Sequence, residues 1–205
     1  FDQNAIDDFS LNNKIIGNEI YIAETACVNQ TYLDASQGPI YISENVVIEP
    51  GTVLYGPIAI GAYTRIKSGT VIYPNVTIGP NSTVGGEINN VVIWGNSAKG
   101  HDGYLGCAVI GEGCNIGAGT SNSNLKNDWS TVKLYDYSIY QYRDTGISKC
   151  GVIMGDHVML SIHSKINTGT VIGVGTQIAI SEFIPKFVPD YSWFTDLTKE
   201  SYIYE

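Results

Sequence analysis

The stretch IEPGTVLYGPIAIGAYTRIKSGTVIYPNVTIGPNSTV, residues 48–84, decides the fold. Its Ile48, Leu54, Ile60, Ile66, Ile72, Ile78 and Val84 stand at intervals of six without a slip, and Ile42 extends the series backwards. A period of six matches neither a helix face nor the simple alternation of a strand. Four residues after Ile48 and after each later member stands a second, mostly small or β-branched residue: Thr52, Ile58, Thr64, Thr70, Val76, Ser82 and Ile88. Two side chains per hexad therefore point inward. Six residues supply a short strand and a turn, and three such units close a triangular coil whose strands pair with the coils above and below. The expected fold is an all-β parallel β-helix with a core of stacked aliphatic side chains.

Working outward, the pattern returns at Ile110 and Ile116 and again at Met154, Leu160, Ile166, Ile172, Ile178 and Ile184. A looser run at Ile16, Ile22 and Val28 places the first coil near residue 15. The expected organisation is an irregular lead over 1–14, a β-helix over 15–184 and a tail over 185–205. In that tail Tyr191, Trp193 and Phe194 either cap the last coil, whose open edge needs cover, or meet another subunit. Register breaks at 85–109 and 121–151. Interruptions of a solenoid fall on one side of the stack and frequently carry the binding surface, so chemistry is sought there first. The second break, with Asn122, Asn124, Lys126, Trp129, Lys133, Arg143 and the tyrosines from Tyr135 to Tyr142, is polar and aromatic without a period. It is expected to form an ordered loop or projecting arm.

Composition narrows the function. Twenty acidic residues against 11 Lys and Arg leave a net charge of −9, and no basic cluster offsets it, which disfavours nucleic acid and anionic membranes as partners. No apolar run approaches the roughly 18 residues of a membrane span, and no basic-then-apolar leader opens the chain, so a cytoplasmic protein is expected. Cys27, Cys107, Cys114 and Cys150 form neither a CxxC pair nor a regular framework, and reduced thiols without a metal are expected. The start at Phe1 suggests a processed chain or a piece of a longer one. His157 and His163 are six apart, so together with His101 they raise a three-histidine zinc site as an alternative to surface histidines.

The first break and its flank contain Gly85-Gly86-Glu87, Lys99-Gly100-His101-Asp102-Gly103-Tyr104-Leu105-Gly106, Asn115-Ile116-Gly117-Ala118-Gly119-Thr120 and Ser123-Asn124-Leu125-Lys126-Asn127. Gly155-Asp156-His157 follows later. This succession resembles the C-terminal acetyltransferase domain of the bifunctional UDP-N-acetylglucosamine pyrophosphorylase/glucosamine-1-phosphate N-acetyltransferase (GlmU) family of hexapeptide-repeat transferases, in a Bacteroidetes-type branch. The resemblance runs from Glu87 through Asn124, while the flanking hexads match only as repeats. Lys99-Gly100-His101 is one residue shorter before the histidine than the family block, and Asn89 stands where the family has a lysine.

The resemblance implies a left-handed winding, acetyl-CoA as co-substrate, an amino-sugar 1-phosphate (glucosamine 1-phosphate) as acceptor, and a homotrimer with sites between subunits. His101 would be the general base, a task suited to imidazole near neutral pH. Glu87 would help to hold the amine and the base. Tyr104, Asn115 and Asn124 match positions that hydrogen-bond the sugar phosphate. Lys67 corresponds to a phosphate-binding arginine, and Lys126 or Lys133 would compensate for the cation missing at Asn89. Ala118 would aim its backbone N–H at the thioester carbonyl, and Ser161 and Ala179 would line the coenzyme arm. The coenzyme-binding arginine of the family has no counterpart. A competing reading is a non-catalytic β-helix that assembles or regulates a sugar-1-phosphate uridylyl- or thymidylyltransferase.

Overall fold

The protein, described over residues 12–201 in a computed structural model, is the expected all-β, left-handed parallel β-helix of about 10 turns. Three faces carry it. The first includes Tyr32–Asp34, Val53–Tyr55 and Val71–Ile72; the second includes Ile40–Ile42, Ile58–Ile60 and Val76–Ile78; the third includes Val47–Ile48, Arg65–Ile66 and Thr83–Val84. Within each face the strands pair in parallel, so that Ile48, Ile66 and Val84 lie one above another, as do Leu33, Leu54, Ile72 and Ile88. These inward side chains are buried, and burial of such aliphatic columns is what drives the coils together.

The second inward position of each hexad sits at a corner, where turn carbonyls face the interior. Thr and Ser recur there because their hydroxyls satisfy those carbonyls: Thr52 Oγ1 donates to Glu49 O at 2.7 Å and Thr64 Oγ1 to Gly79 O at 3.0 Å. The corners themselves need left-handed backbone, and Asn45, Asn75, Asn81, Asn90 and Asn96 supply it with φ between 54° and 65°.

The segment 85–109 does not leave the stack. Val84 pairs with Ile66, 18 residues earlier, but with Lys99 only 15 residues later, so the lost register is a shortened coil. Here two long strands, Glu87–Ile93 and Tyr104–Ile110, run around the corner between the first and second faces, turning at Asn90 (φ 55°) and Cys107 (φ 49°). The segment after Asn122, by contrast, is a true insertion between the first and second faces. Its neck is closed by the antiparallel bridge of Leu125 with Lys149, and its hairpin pairs Lys133–Asp136 with Gln141–Asp144. The hairpin folds back on the last coils: Tyr135 stacks on Phe187 at 3.6 Å, and Val132 is buried against Gly169. Burial and the neighbouring Asp190 push the Tyr137 hydroxyl up to about 12.

Beyond Ile184, Phe187–Val188 and Ser192–Thr195 continue the second and third faces, and Lys199–Ser201 then runs antiparallel along the last edge. A helix long and apolar enough to cross a membrane is absent among the described residues.

Because each column residue is packed between its counterparts in the coils above and below, a cavity in mid-stack is held open by the neighbouring coils. Ile66→Ala is expected to destabilise the fold by about 2–5 kcal/mol, read as a lowered urea midpoint, whereas the outward-facing Thr77→Ala is expected to shift it by about 0.5 kcal/mol or less.

Candidate active site

Glu87 opens the strand Glu87–Ile93 on the first face, exposed and facing outward, with Val71 on one side and Tyr104 on the other as its ladder neighbours. Tyr104 is half-buried because its ring lies flat over Gly106, two residues along the same strand. Only glycine allows this: a Cβ at position 106 would collide with the Tyr104 ring and hydroxyl. The hydroxyl receives Asn124 Nδ2 at 3.0 Å, and the same amide nitrogen is 3.3 Å from Cys107 Sγ. Asn90 Nδ2 approaches that sulfur from the coil above at 3.5 Å. Burial raises the Tyr104 hydroxyl above its ordinary range, with Cys107 and Glu87 adding to the effect, so it stays protonated and can donate as well as accept.

His101 stands at the adjacent edge, in the turn 100–103 that joins the third face to the first. Its imidazole is exposed. The turn rests on Lys99, whose side chain points into the core, 2% exposed. Lys99 Nζ donates to His101 O at 2.6 Å, to Asp102 O at 3.0 Å and to Gly85 O at 3.1 Å. Burial lowers this ammonium to about 8, and Asp102 partly offsets the shift.

The other expected residues fall into two groups. Ala118, Ser161 and Ala179 lie in successive coils at the same edge as His101. Glycine packing shows how closely these turns stack: a Cβ on Gly103 would strike Thr120, and one on Gly117 would strike Ser161. The carbonyl of Ala118 accepts the His163 N–H at 2.7 Å. Asn115 is exposed on the third face, paired with Ala98 and Met159, and is separated from Tyr104 by that same edge.

The two lysines assigned to phosphate are engaged elsewhere within the chain. Lys67 Nζ is 3.5 Å from Glu49 Oε1, and the Glu49 carboxyl is held down to about 2 by the hydrogen bond from Arg65 first, then by the Ser68 N–H. Lys126 Nζ is turned into the arm, donating to Thr131 O and to Ser130 Oγ at 3.1 Å. Lys133 belongs to the hairpin, where its carbonyl receives Lys186 Nζ at 3.3 Å. His157 lies at the edge between the second and third faces, away from His101 and His163, so the three histidines do not converge.

Four residues around the candidate site were given no role there by the sequence. Lys99 and Cys107 sit inside quoted motifs, but nothing in one sequence shows which way a residue points. Asn122 is buried, and its amide bonds both ways to the backbone of Gly106: Oδ1 accepts N–H at 2.7 Å and Nδ2 donates to O at 2.9 Å. Lys165, paired with Ser121 on the first face, is an exposed cation whose ammonium stands 5.8 Å from the Phe183 ring centroid. The signal that could have found Lys99 and Asn122 was their place at inward positions otherwise aliphatic.

The family of bacterial transferase hexapeptide repeats (six repeats) matches residues 39–74. Bifunctional protein GlmU of Methanococcus maripaludis is 36% identical over 177 residues, covering 82% of this chain and 40% of the relative. The GlmU of Methanocaldococcus jannaschii is 34% identical over 100 residues, 49% of this chain and 24% of that protein. The chain belongs to the bacterial hexapeptide-repeat transferase family and is similar to the GlmU proteins over most of its own length. It spans less than half the length of these relatives. For the fold alone, the crystal structure of the polysialic-acid-specific acetyltransferase NeuO superposes with a TM-score of 0.50 at 14% identity, over 95% of this chain and 87% of that one.

In this GlmU-type domain the Tyr104 ring lies against its strand only because Gly106 has no side chain. Gly106→Ala is expected to lift the ring off its strand and break the 3.0 Å bond to Asn124, raising the fluorescence quenching of tyrosine by iodide and lowering acyl transfer by about 10-fold or more. A variant with wild-type activity would remove Tyr104 from the site.

Proposed function

We propose that the chain is an acetyl-CoA-dependent N-acetyltransferase that acylates the amine of an amino-sugar 1-phosphate, glucosamine 1-phosphate being the acceptor implied by its GlmU relatives. The observation that carries this reading is the juxtaposition on one face of Glu87, Tyr104 and Asn124 beside the His101 turn. A carboxylate, a phenol, an amide and an imidazole supply what amide formation needs: an anchor for an ammonium, donors and acceptors for sugar hydroxyls, and a base.

In the proposed reaction the sugar amine attacks the thioester carbonyl carbon. His101 takes the proton that the amine loses, the carbon–sulfur bond breaks, and the proton returns to the leaving thiolate to give free coenzyme A. Glu87 holds the amine for attack. Ala118 offers its backbone N–H to the developing oxyanion, and its small side chain leaves room for the thioester. Ser161 and Ala179, one and two coils further along the same edge, continue the track for the pantetheine arm.

The site is an open surface. A groove of about 520 Å³ lies elsewhere, on the second face between Tyr21, Tyr41 and Thr77. An acyl transfer that must exclude water therefore favours closure by a neighbouring copy, in keeping with a homotrimer, which would also supply the missing cations. That Lys67 and Lys126 are engaged within the chain is the observation on the side of a non-catalytic assembly domain.

Mixing the protein with acetyl-CoA and glucosamine 1-phosphate is expected to release free thiol, detected with a thiol-reactive dye. His101→Ala is expected to lower kcat by about 100- to 10,000-fold with the fold intact by circular dichroism. No thiol release by the wild type, together with no coenzyme A binding by calorimetry, would favour the assembly reading.

A further inference from the structure

On the third face the inward column runs Ile48, Ile66, Val84, Lys99, Ile116 and Leu160. A lysine occupies a place where the residues above and below are aliphatic. Among the described residues it is the one buried Lys, Arg, His, Asp or Glu. An ammonium in a hydrocarbon stack is a heavy desolvation cost that the fold itself does not require, since valine or isoleucine serves in the neighbouring coils.

The surroundings offset that cost in one direction only. An ammonium has three N–H donors and no acceptor, and all three donors are spent on carbonyls, those of Gly85, His101 and Asp102. With every proton engaged and the nitrogen sealed from solvent, Lys99 is neither a nucleophile nor an acid for the substrate. Two of its three acceptors, however, are the backbone of the turn that presents His101, and the third ties that turn to the coil carrying Glu87. Gly86 (φ 84°) keeps the space open: a Cβ there would stand 2.9 Å from His101 O and 3.1 Å from Lys99 Nζ.

We infer that Lys99 is a positioning residue, whose buried ammonium clamps the His101–Asp102 backbone to the Glu87 coil and so fixes the imidazole relative to the carboxylate. The inference rests on the reading of His101 as the base, and it deepens that reading. The shortening lies one coil earlier, where Val84 and Ile88 stand four apart while Ile66 and Ile72, like Lys99 and Leu105, stand six apart; Gly85 and Gly86 form that tight corner, and the Lys99 ammonium reaches the Gly85 carbonyl.

The clamp is proton-dependent. The turn contributes the charged Asp102 and the exposed His101; the coil above contributes Gly85, Gly86 and the exposed Glu87; the coil below, from Ile116 to Thr120, contributes nothing that titrates. Because the folded ammonium is held to about 8, below its ordinary 10.5, the burial penalty is present below pH 8. As pH rises from about 8 towards 10.5 the folded amine is neutral while the unfolded one is still charged, so this group's contribution to stability increases. The same deprotonation withdraws one N–H from a carbonyl and loosens the turn. Activity and stability should therefore move in opposite directions, which a purely structural lysine would not produce.

The test is Lys99→Met in the whole protein. Expected are a kcat lowered by about 10- to 100-fold with KM for the amino sugar within about 2-fold of the wild type. Amide hydrogen exchange over residues 100–106 is expected to quicken by about 10-fold or more, and the alkaline fall of kcat above pH 8 to be lost. Wild-type kcat and wild-type exchange in the variant would overturn the inference, and so would a kcat loss that merely tracks a lowered thermal midpoint. Should Lys99→Met fail to fold, Lys99→Gln retains two donors without charge: an intermediate loss of kcat supports the clamp, and full wild-type kcat overturns it. If the wild type itself turns nothing over, the acetyltransferase reading fails, and the exchange rates of 100–106 still decide whether Lys99 holds the turn.

Discussion

In a parallel β-helix each inward side chain packs against its counterpart one coil above and one coil below, and the rest of this structure follows from that constraint. The columns of Leu, Ile and Val through Leu33, Leu54, Ile72 and Ile88, or through Ile48, Ile66 and Val84, are self-complementary at a spacing of about 4.8 Å, so a coil can be added wherever its inward residues match. A polar side chain in such a column breaks the match in both directions at once. It persists only where the backbone of its own turn or of an adjacent coil supplies partners.

Among the described residues that happens twice, at Lys99 on the third face and at Asn122 on the first, and the two places bracket the Tyr104 strand. Lys99 ties together the turn before that strand; Asn122 replaces with its amide the ladder bonds that Gly106 would otherwise make to the next coil. Ser121 does the same one residue earlier, its hydroxyl accepting the Tyr104 N–H at 3.0 Å. The first three residues of the strand that bears Tyr104 are thus held by side chains on one side and by the ordinary ladder with Glu87–Ile93 on the other, while its far end, Val109–Ile110, pairs with Ile153–Met154 in the usual way. Side-chain partners can set a local geometry that hexad repetition does not, which suits a place where one phenol and one imidazole must be aimed.

The same constraint explains what the sequence revealed. Period six is the direct imprint of column packing, so the fold class was readable from Ile42 to Val84 without any other information. The true insertion was readable as an absence of period together with its aromatic content, although that its hairpin would lie back on Phe187 was not, because the contact joins residues some fifty positions apart. At 85–109 the loss of register looked the same as an insertion would, since a missing three residues and an added loop both break the count. Only the pairing of Val84 with Lys99 distinguishes them. In the candidate site, a motif marks the outward residues Glu87, His101 and Tyr104 in the sequence itself. The site was illegible where the working atom points inward, as with Lys99 and Asn122, or where a named cation is bound to a neighbour, as Lys67 is to Glu49.

This last point bears on how an acidic chain could hold a phosphate. Net charge −9 repels an anion at long range, so the phosphate of the proposed acceptor would need short-range cations that are not already neutralised. Lys67 shares Glu49 with Arg65, and Lys126 serves the arm's own carbonyl. Lys165 is different: it stands exposed on the first face, two rungs below Tyr104 through Ser121, and an aromatic ring instead of a carboxylate lies beside it. A cation resting on a ring keeps its full charge for an incoming anion. The geometry of the first face therefore directs attention away from the lysines that a motif comparison selects and toward one that belongs to the plain hexads.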